Sequence, residues 1–436
     1  MTDAKEYAAR RGQLAGALPN ESVALIFSAR EMIRNGDVHH RFRQDSDFYY
    51  FTGFEEPDAV LLVYSGSEPR SLLFVRPRDP LVEQWTGERL GPEQACERLG
   101  VQHAYSITDL DQKLPELVAS QRCIHYFLGR DSVWDERVLA LWSSVQRRSP
   151  KRSPTTQGLA DLSPYVRALR LIKSPFEIEC MRIAAQRSVF AHQCAMRASV
   201  HAQYEYEVEA AFLGELTRLG SRNLAYDSIV AGGAMACILH YTANDRRLNT
   251  GDLWLIDAGG EYQNYAADIT RTYPVRARFS TEQALIYDLV YQSQQAGIAC
   301  VRPGVAWVEI QQAIVRVLTQ GLCDLGILTG AVDDLMEKGA YKPYYMHNSG
   351  HWLGLDVHDV GDYYQADGQS KSLEPGMVLT VEPGLYLSSH IKGLNPRWWN
   401  IGVRIEDDVL VTSQASEILS CGLPSQRLEL EAYLCD

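Results

Sequence analysis

Residues 253–275 read LWLIDAGGEYQNYAADITRTYPV, and the two strand patterns in this stretch, each marked by an aspartate, decide how the second half of the chain is read. Leu253, Trp254, Leu255 and Ile256 form the apolar run of a buried strand, and Asp257 ends it. Asp268 opens the next strand, DITRTYPV. The pattern recurs downstream, where Glu382 interrupts MVLTVEPGLY (377–386) and Glu406 interrupts VRIEDDVLVT (403–412). An ionised side chain inside a buried apolar strand is costly unless something compensates it. One such carboxylate can simply face solvent on an edge strand; four in one domain ask for a common cause.

Two kinds of compensation are open: arginines, with Arg271 and Arg404 close by in sequence, or metal ions. The histidines argue for metal. His347, His351 and His358 fall within MHNSGHWLGLDVHD (346–359), among glycines that free the backbone, and His240 lies in CILHYTAND (237–245). Four carboxylates and one imidazole make a hard, oxygen-rich set, suited to manganese, cobalt or zinc rather than to soft metals. Two divalent ions about 3.5–4 Å apart would neutralise the four charges, share a bridging water and lower its pKa, which is hydrolytic chemistry. No GxSxG elbow, HExxH, P-loop or strand-borne GxGxxG offers a rival mechanism.

Outward from this block, helices alternate with strands. Ser174-Pro175-Phe176-Glu177 is a capping box with proline in the first turn, and Ile178, Met181, Ala185 and Val189 form the apolar face behind it. Further helices are expected at about 205–219, stopped by Gly220, from the capping box at Ser280, and at about 305–325. In the first third, SVALIFS (22–28), AVLLVYS (59–65), SLLFV (71–75) and CIHYFL (123–128) read as strands, with helices at 91–99 and 108–119. This predicts an α/β N-terminal domain over 1–170 and an α+β catalytic domain over 171–436. The Ser-, Pro- and Arg-rich stretch 143–157, SSVQRRSPKRSPTTQ, reads as a solvated linker ending near residue 160.

Composition narrows the function. The 436 residues carry a formal charge of −13, which disfavours nucleic acid as a partner. No apolar run approaches the roughly 20 residues that a bilayer requires, and the charged N-terminus lacks a signal core. Nine cysteines, none in a CxxC pair, suit free thiols in a reducing cytoplasm.

The series ILHYTAND, LIDAGGEYQNYAADITRTYPV, HWLGLDVHDVG, LEPGMVLTVEPGLY and GVRIEDDVLV closely resembles the bacterial Xaa-Pro aminopeptidases (aminopeptidase P). These belong to the wider creatinase, prolidase and methionine aminopeptidase group. The resemblance continues through RQDSDFYYFTGFEEPDAVLLV (43–63) and EQWTGERLG (83–91), so it covers most of the chain. It implies a creatinase-like, ribonuclease-H-like N-terminal domain and a pita-bread catalytic domain. It also implies that Asp257 chelates one metal, that Asp268 and Glu406 bridge two, and that His351 and Glu382 complete the other. The metals expected are manganese first, with cobalt or zinc as alternatives. Glu382 would double as general base, taking a proton from the bridging water to give the attacking hydroxide. His358 matches the family histidine that donates to the developing oxyanion, His347 and His240 match histidines of the substrate pockets, and Arg404 matches an arginine beside the metals. The implied substrates are peptides with proline second. An Xaa-Pro bond has no N–H to grip, so an aromatic wall is expected, with Tyr226, His347 and Tyr386 as candidates. Trp85 matches a tryptophan that reaches a neighbouring subunit, implying a homo-oligomer, a dimer or tetramer.

Relatives carry a linker arginine near the site, a place that Arg148, Arg152 or neither could take, and the stretch SSHIKGLNPRWWN (388–400) is individual to this chain. Three other readings stay open. A prolidase would use the same metals on dipeptides alone, a non-catalytic member of the fold would bind without turnover, and a creatinase-like hydrolase would work without metal. All five ligand positions are filled here, which speaks against the last two.

Overall fold

The apolar runs of the first third pair with one another, as their aliphatic and aromatic content predicts. Ser22–Phe27 lies antiparallel to Val60–Tyr64, which pairs antiparallel with Arg70–Val75, and its other edge runs parallel to Cys123–Tyr126. Two short parallel strands, His103–Ser106 and Gly158–Asp161, complete a six-stranded sheet at its edges. Leu110, Leu114 and Val118 of one helix and Val138, Leu141 and Val145 of another pack against Val23, Leu25, Leu62 and Phe74 of the sheet. The computed structural model describes residues 4–66, 70–148, 158–275 and 278–435. Two compact units emerge, Met1–Leu169 and Arg170–Asp436, the first α/β and the second α+β.

The expected linker begins later than its composition implies. Residues 143–148 are the end of the helix Ser132–Arg148, which Asp131 caps by accepting from the amides of Val133 and Trp134 at 2.8 and 3.2 Å. Val145 falls in phase with Val138 and Leu141, three and four residues apart on one face, and that packing outweighs the polar composition around it. Residues 149–157, Arg152 among them, lie outside the described residues, and Gly158–Asp161 is already a strand.

In the second unit the capping boxes form as the sequence predicts. Ser174 Oγ accepts from the Glu177 amide at 3.3 Å while Glu177 accepts from the Ser174 amide at 3.0 Å, opening the helix Pro175–Ser199. Ser280 and Gln283 do the same for Thr281–Cys300. These helices, with Glu205–Arg218 and Trp307–Asp324, pack on antiparallel strands around a core that includes Met196, Phe212, Trp254, Tyr287, Leu318 and Trp352. Leu253–Asp257 is the middle strand of three, between Ile229–Gly232 and Thr270–Pro274.

Two runs read as single strands are each broken in the middle. Val378–Val381 pairs with Asp407–Val411 in one sheet, and Gly384–Leu387 pairs with Ile401–Arg404 in another. Residues 382–383 and 405–406 therefore face each other at the level where both chains change sheets. Pro383 has no amide to donate to a ladder, which suits the break.

Candidate active site

Strand ends and breaks bring the carboxylates together. Asp257 is the last residue of its strand and lies opposite Thr270, so Asp268, two residues earlier, reaches the same end of the sheet. The connection between them passes through Gly259, where a Cβ would fall 1.7 Å from the carbonyl oxygen of Ala267; only glycine permits that approach. Glu382 and Glu406 occupy the two facing breaks. The Glu406 amide donates to Thr270 O at 3.1 Å, and Thr270 Oγ1 donates to Glu406 Oε2 at 2.7 Å, tying this pair to the first. His351 arrives on a segment laid beside Val378–Val381. Its amide donates to Thr380 Oγ1 of that strand at 3.1 Å, and its carbonyl accepts from the Thr380 amide at 2.9 Å.

The side chains form a tightly coupled set. Tyr226 Oη donates to Asp257 Oδ1 and Asp268 Oδ1, 2.6 and 2.5 Å away, and Arg404 Nη2 donates to Asp257 Oδ2 at 2.5 Å. His351 Nε2 lies 3.3 Å from Asp268 and 3.7 Å from Glu382. Burial is the largest influence on every group. It pushes Glu382 up to about 8, with the charges of Asp268 and Asp257 adding to it and those of His351 and Arg404 opposing it. It raises Asp257, and it takes Glu406 well above the usual range, helped by Asp268 and Glu382. Burial would lower His351, but its hydrogen bond to Asp268 and the charges of Asp268 and Glu382 outweigh it and raise the imidazole to about 9. Asp268, also opposed by burial, is held low by that same imidazole.

These residues line one cavity of about 560 Å³, with His240, His347, His358 and Tyr226 on its walls. Tyr386, expected on the aromatic wall, is instead 1% exposed and stands behind His347. Its hydroxyl accepts from Arg404 Nη1 at 3.0 Å and meets His347 Nε2 at 2.8 Å, so two polar partners draw it off the cavity surface. Trp85 is 88% exposed on the short helix Pro80–Thr86 of the first unit. Of the two arginines considered as partners, Arg404 pairs with Asp257, whereas Arg271 pairs with Asp407 at 2.8 Å. Sequence reasoning missed Asp408, whose buried carboxylate accepts from the Asp268 amide at 3.2 Å, and Tyr363, Leu239 and Thr242, which also line the cavity. The doublet Asp407-Asp408 in an apolar strand was the available signal for the first.

The donor set fits cations. One oxygen each from Asp268 and Glu406 and a nitrogen of His351 lie within 4.8 Å of one another. Asp257, Asp268, Glu382 and Glu406 stand against one guanidinium and one imidazole, so ionising all four would leave an excess of negative charge that two divalent ions would offset.

Comparison with known proteins gives a consistent answer over the whole length. Residues 179–413 match metallopeptidase family M24, and residues 7–125 match the aminopeptidase P N-terminal domain. The Xaa-Pro aminopeptidase of Haemophilus influenzae is 42% identical over 428 residues, which span 98% of this chain and 96% of that one. Aminopeptidase P from Escherichia coli with the inhibitor Pro-Leu superposes with a TM-score of 0.95 at 39% identity, covering 99% of this chain and 98% of that one. A zinc-substituted E. coli aminopeptidase P in complex with product gives 0.96 at 40% identity, with the same coverage.

Proposed function

This chain belongs to metallopeptidase family M24, and from that membership we propose that it is an Xaa-Pro aminopeptidase holding two divalent cations between Asp257, Asp268, His351, Glu382 and Glu406. The observation that carries this reading is the convergence of those five side chains, from separate strands and loops, on one cavity. Asp257, Asp268, His351, Glu382 and Glu406 would hold the cations, with Asp268, His351 and Glu406 offering ligand atoms within 4.8 Å of one another. Manganese is the metal proposed first; zinc and cobalt suit the same donors. When bound, the cations would supply Lewis acidity, lowering the pKa of a nearby water and polarising the scissile carbonyl.

The protein side of the chemistry follows from the hydrogen bonds. Glu382 accepts the proton of that water; bound cations would hold its carboxyl ionised, and its place among the ligand residues on the cavity wall puts it within reach. His358 is kept below the ordinary imidazole range, by burial first and then by His351, so it enters neutral and donates its N–H to the developing oxyanion. His347 has a different task. Its Nδ1 lies 2.7 Å from the Asn348 carbonyl and must carry the proton, which leaves Nε2 to accept from the Tyr386 hydroxyl. Burial, and then Arg404, lower its pKa to about 4. With both nitrogens engaged, His347 offers the substrate a ring face, and we assign it to the wall that receives the proline ring. His240 faces the same cavity and borders the substrate.

Location and assembly are part of the proposal. Nine free cysteines suit a reducing cytoplasm, and among the described residues no helix is long and apolar enough to cross a membrane. Exposed Trp85 and Leu81 on one short helix suit a contact in a homo-oligomer.

The test is to offer the manganese-loaded protein Gly-Pro and Arg-Pro-Pro in parallel. Release of arginine from the tripeptide is the expected result. Cleavage of the dipeptide alone would make the protein a prolidase, and no hydrolysis together with no bound metal would make it a non-catalytic member of the fold.

A further inference from the structure

Beside the cavity lies a cluster of buried charges to which no role has been given. Arg170 is 1% exposed, Lys173 4% and Asp359 7%. Lys173 Nζ donates to Asp359 Oδ2 at 2.9 Å. Arg170 Nη2 donates to Asp359 Oδ1 and, at 2.9 Å, to Asp356 Oδ2, whose side chain is 37% exposed. The packing leaves no slack: a Cβ on Gly354 would sit 2.2 Å from Asp359 Oδ2 and 3.1 Å from Lys173 Cε. A buried ion cluster is weak evidence for net stability, because desolvation opposes the attraction. Its role is therefore better sought in what it holds in place.

It holds the residue after His358. The Asp359 amide donates to Trp352 O at 2.8 Å, the Gly354 amide donates to Asp356 O at 3.2 Å, and Gly354 O accepts from the Ala266 amide at 2.8 Å. Residues 352–359 thus form a loop closed on itself, with His351 just before its first residue and His358 just before its last. The two imidazoles stand edge to face, their centres 4.3 Å apart. No side-chain hydrogen bond orients His358 among the described residues. Its aim over the ligand cluster depends on the backbone that carries it, and Asp359 anchors that backbone to two buried cations.

We propose that Arg170 and Lys173, acting through Asp359, are positioning residues for His358, holding residues 356–359 so that this imidazole faces the reacting carbonyl. The proposal rests on the reading of His358 as the oxyanion donor. Lys173 and Asp359 are not among the residues lining the cavity, so loss of the anchor should spare metal and substrate binding and fall on turnover.

A double-mutant cycle on the full-length, manganese-loaded protein reads this directly. With Arg-Pro-Pro as substrate, Lys173→Met should lower kcat about 10- to 100-fold, the usual effect of losing a support one shell out, with KM and bound metal unchanged. Lys173→Arg should recover most of the loss. In the His358→Ala background, the same Lys173→Met change should alter kcat less than about threefold, because coupled residues do not add. An equal loss in both backgrounds, or a loss that appears as raised KM or missing metal, would overturn the proposal. If Lys173→Met does not fold, the unaltered protein decides: the Asp359 amide should exchange with solvent as slowly as those of Val378–Val381, and fast exchange refutes the anchor. Failure of the unaltered protein to cleave the peptide would count against the aminopeptidase reading instead, and the exchange measurement would still stand.

Discussion

In the proposed mechanism Glu382 would meet two demands with one carboxylate, as cation ligand and as proton acceptor, and substitution can separate them. Glu382→Gln keeps a ligand oxygen but loses the basic one, so kcat on Arg-Pro-Pro should fall by about 10²–10⁴-fold while most of the metal stays bound. Metal analysis beside steady-state kinetics checks this; equal loss of both would reduce Glu382 to a ligand. His358→Ala should lower kcat by about 10²–10³-fold with metal content unchanged, and intact turnover would end its assignment as oxyanion donor. Tyr386→Phe removes the hydroxyl that fixes the His347 ring, so KM for proline substrates should rise several-fold with little change in kcat; the reverse split would place Tyr386 nearer the chemistry. At this scale the sequence was informative about residue types and silent about direction. Four acids in apolar runs marked the site, yet nothing local to GLYL shows that the hydroxyl of Tyr386 turns inward to Arg404 and His347.

Elements succeed or fail by how local their causes are. The capping boxes at Ser174 and Ser280 need only residues three apart, so they are visible in sequence and present in the fold. Ser280→Ala should therefore cost about 1 kcal/mol in denaturant unfolding and leave activity untouched. The strand breaks at 382–383 and 405–406 have a non-local cause, since each chain changes sheets opposite the other; the sequence shows a carboxylate in an apolar run, not the break that exposes it to the cavity. The end of the helix Ser132–Arg148 was obscured in the opposite way, with Val145, its last buried apolar side chain among the described residues, outnumbered by polar neighbours. The turn after Asp257 leaves no room for a side chain at Gly259. Gly259→Ala would drive a methyl into the Ala267 carbonyl, and about 3 kcal/mol of stability should go with it, together with metal binding. A Gly259→Ala protein that kept both would show that the two aspartates tolerate a looser turn.

For the molecule as a whole, the cation site should make stability depend on pH and metal together. Without metal, Glu382 sits near 8 against an ordinary 4.5, and His351 near 9 against 6.5. Above about pH 7 the folded state then holds more protons than the unfolded chain, so stability falls as pH rises from about 7 to 9; His347 and His192, near 4 against 6.5, and His358, also lowered, act in the other sense only below that window. Asp268 is held below its ordinary 3.8 and so acts in the other sense, but only at lower pH, outside this window. Cations displace those protons and favour high pH, so Mn²⁺ should raise the Tm of EDTA-treated protein more at pH 8.5 than at pH 6. A pH-independent increment would contradict the assigned ligands. The order of the five residues along the chain has one more consequence. They are spread from Asp257 to Glu406, with the helices Thr281–Cys300 and Trp307–Asp324 in between. With the proposed ligand set, a growing polypeptide would lack one of the five ligands until residue 406 has left the ribosome, and a product terminated before that point would not become a stray peptidase.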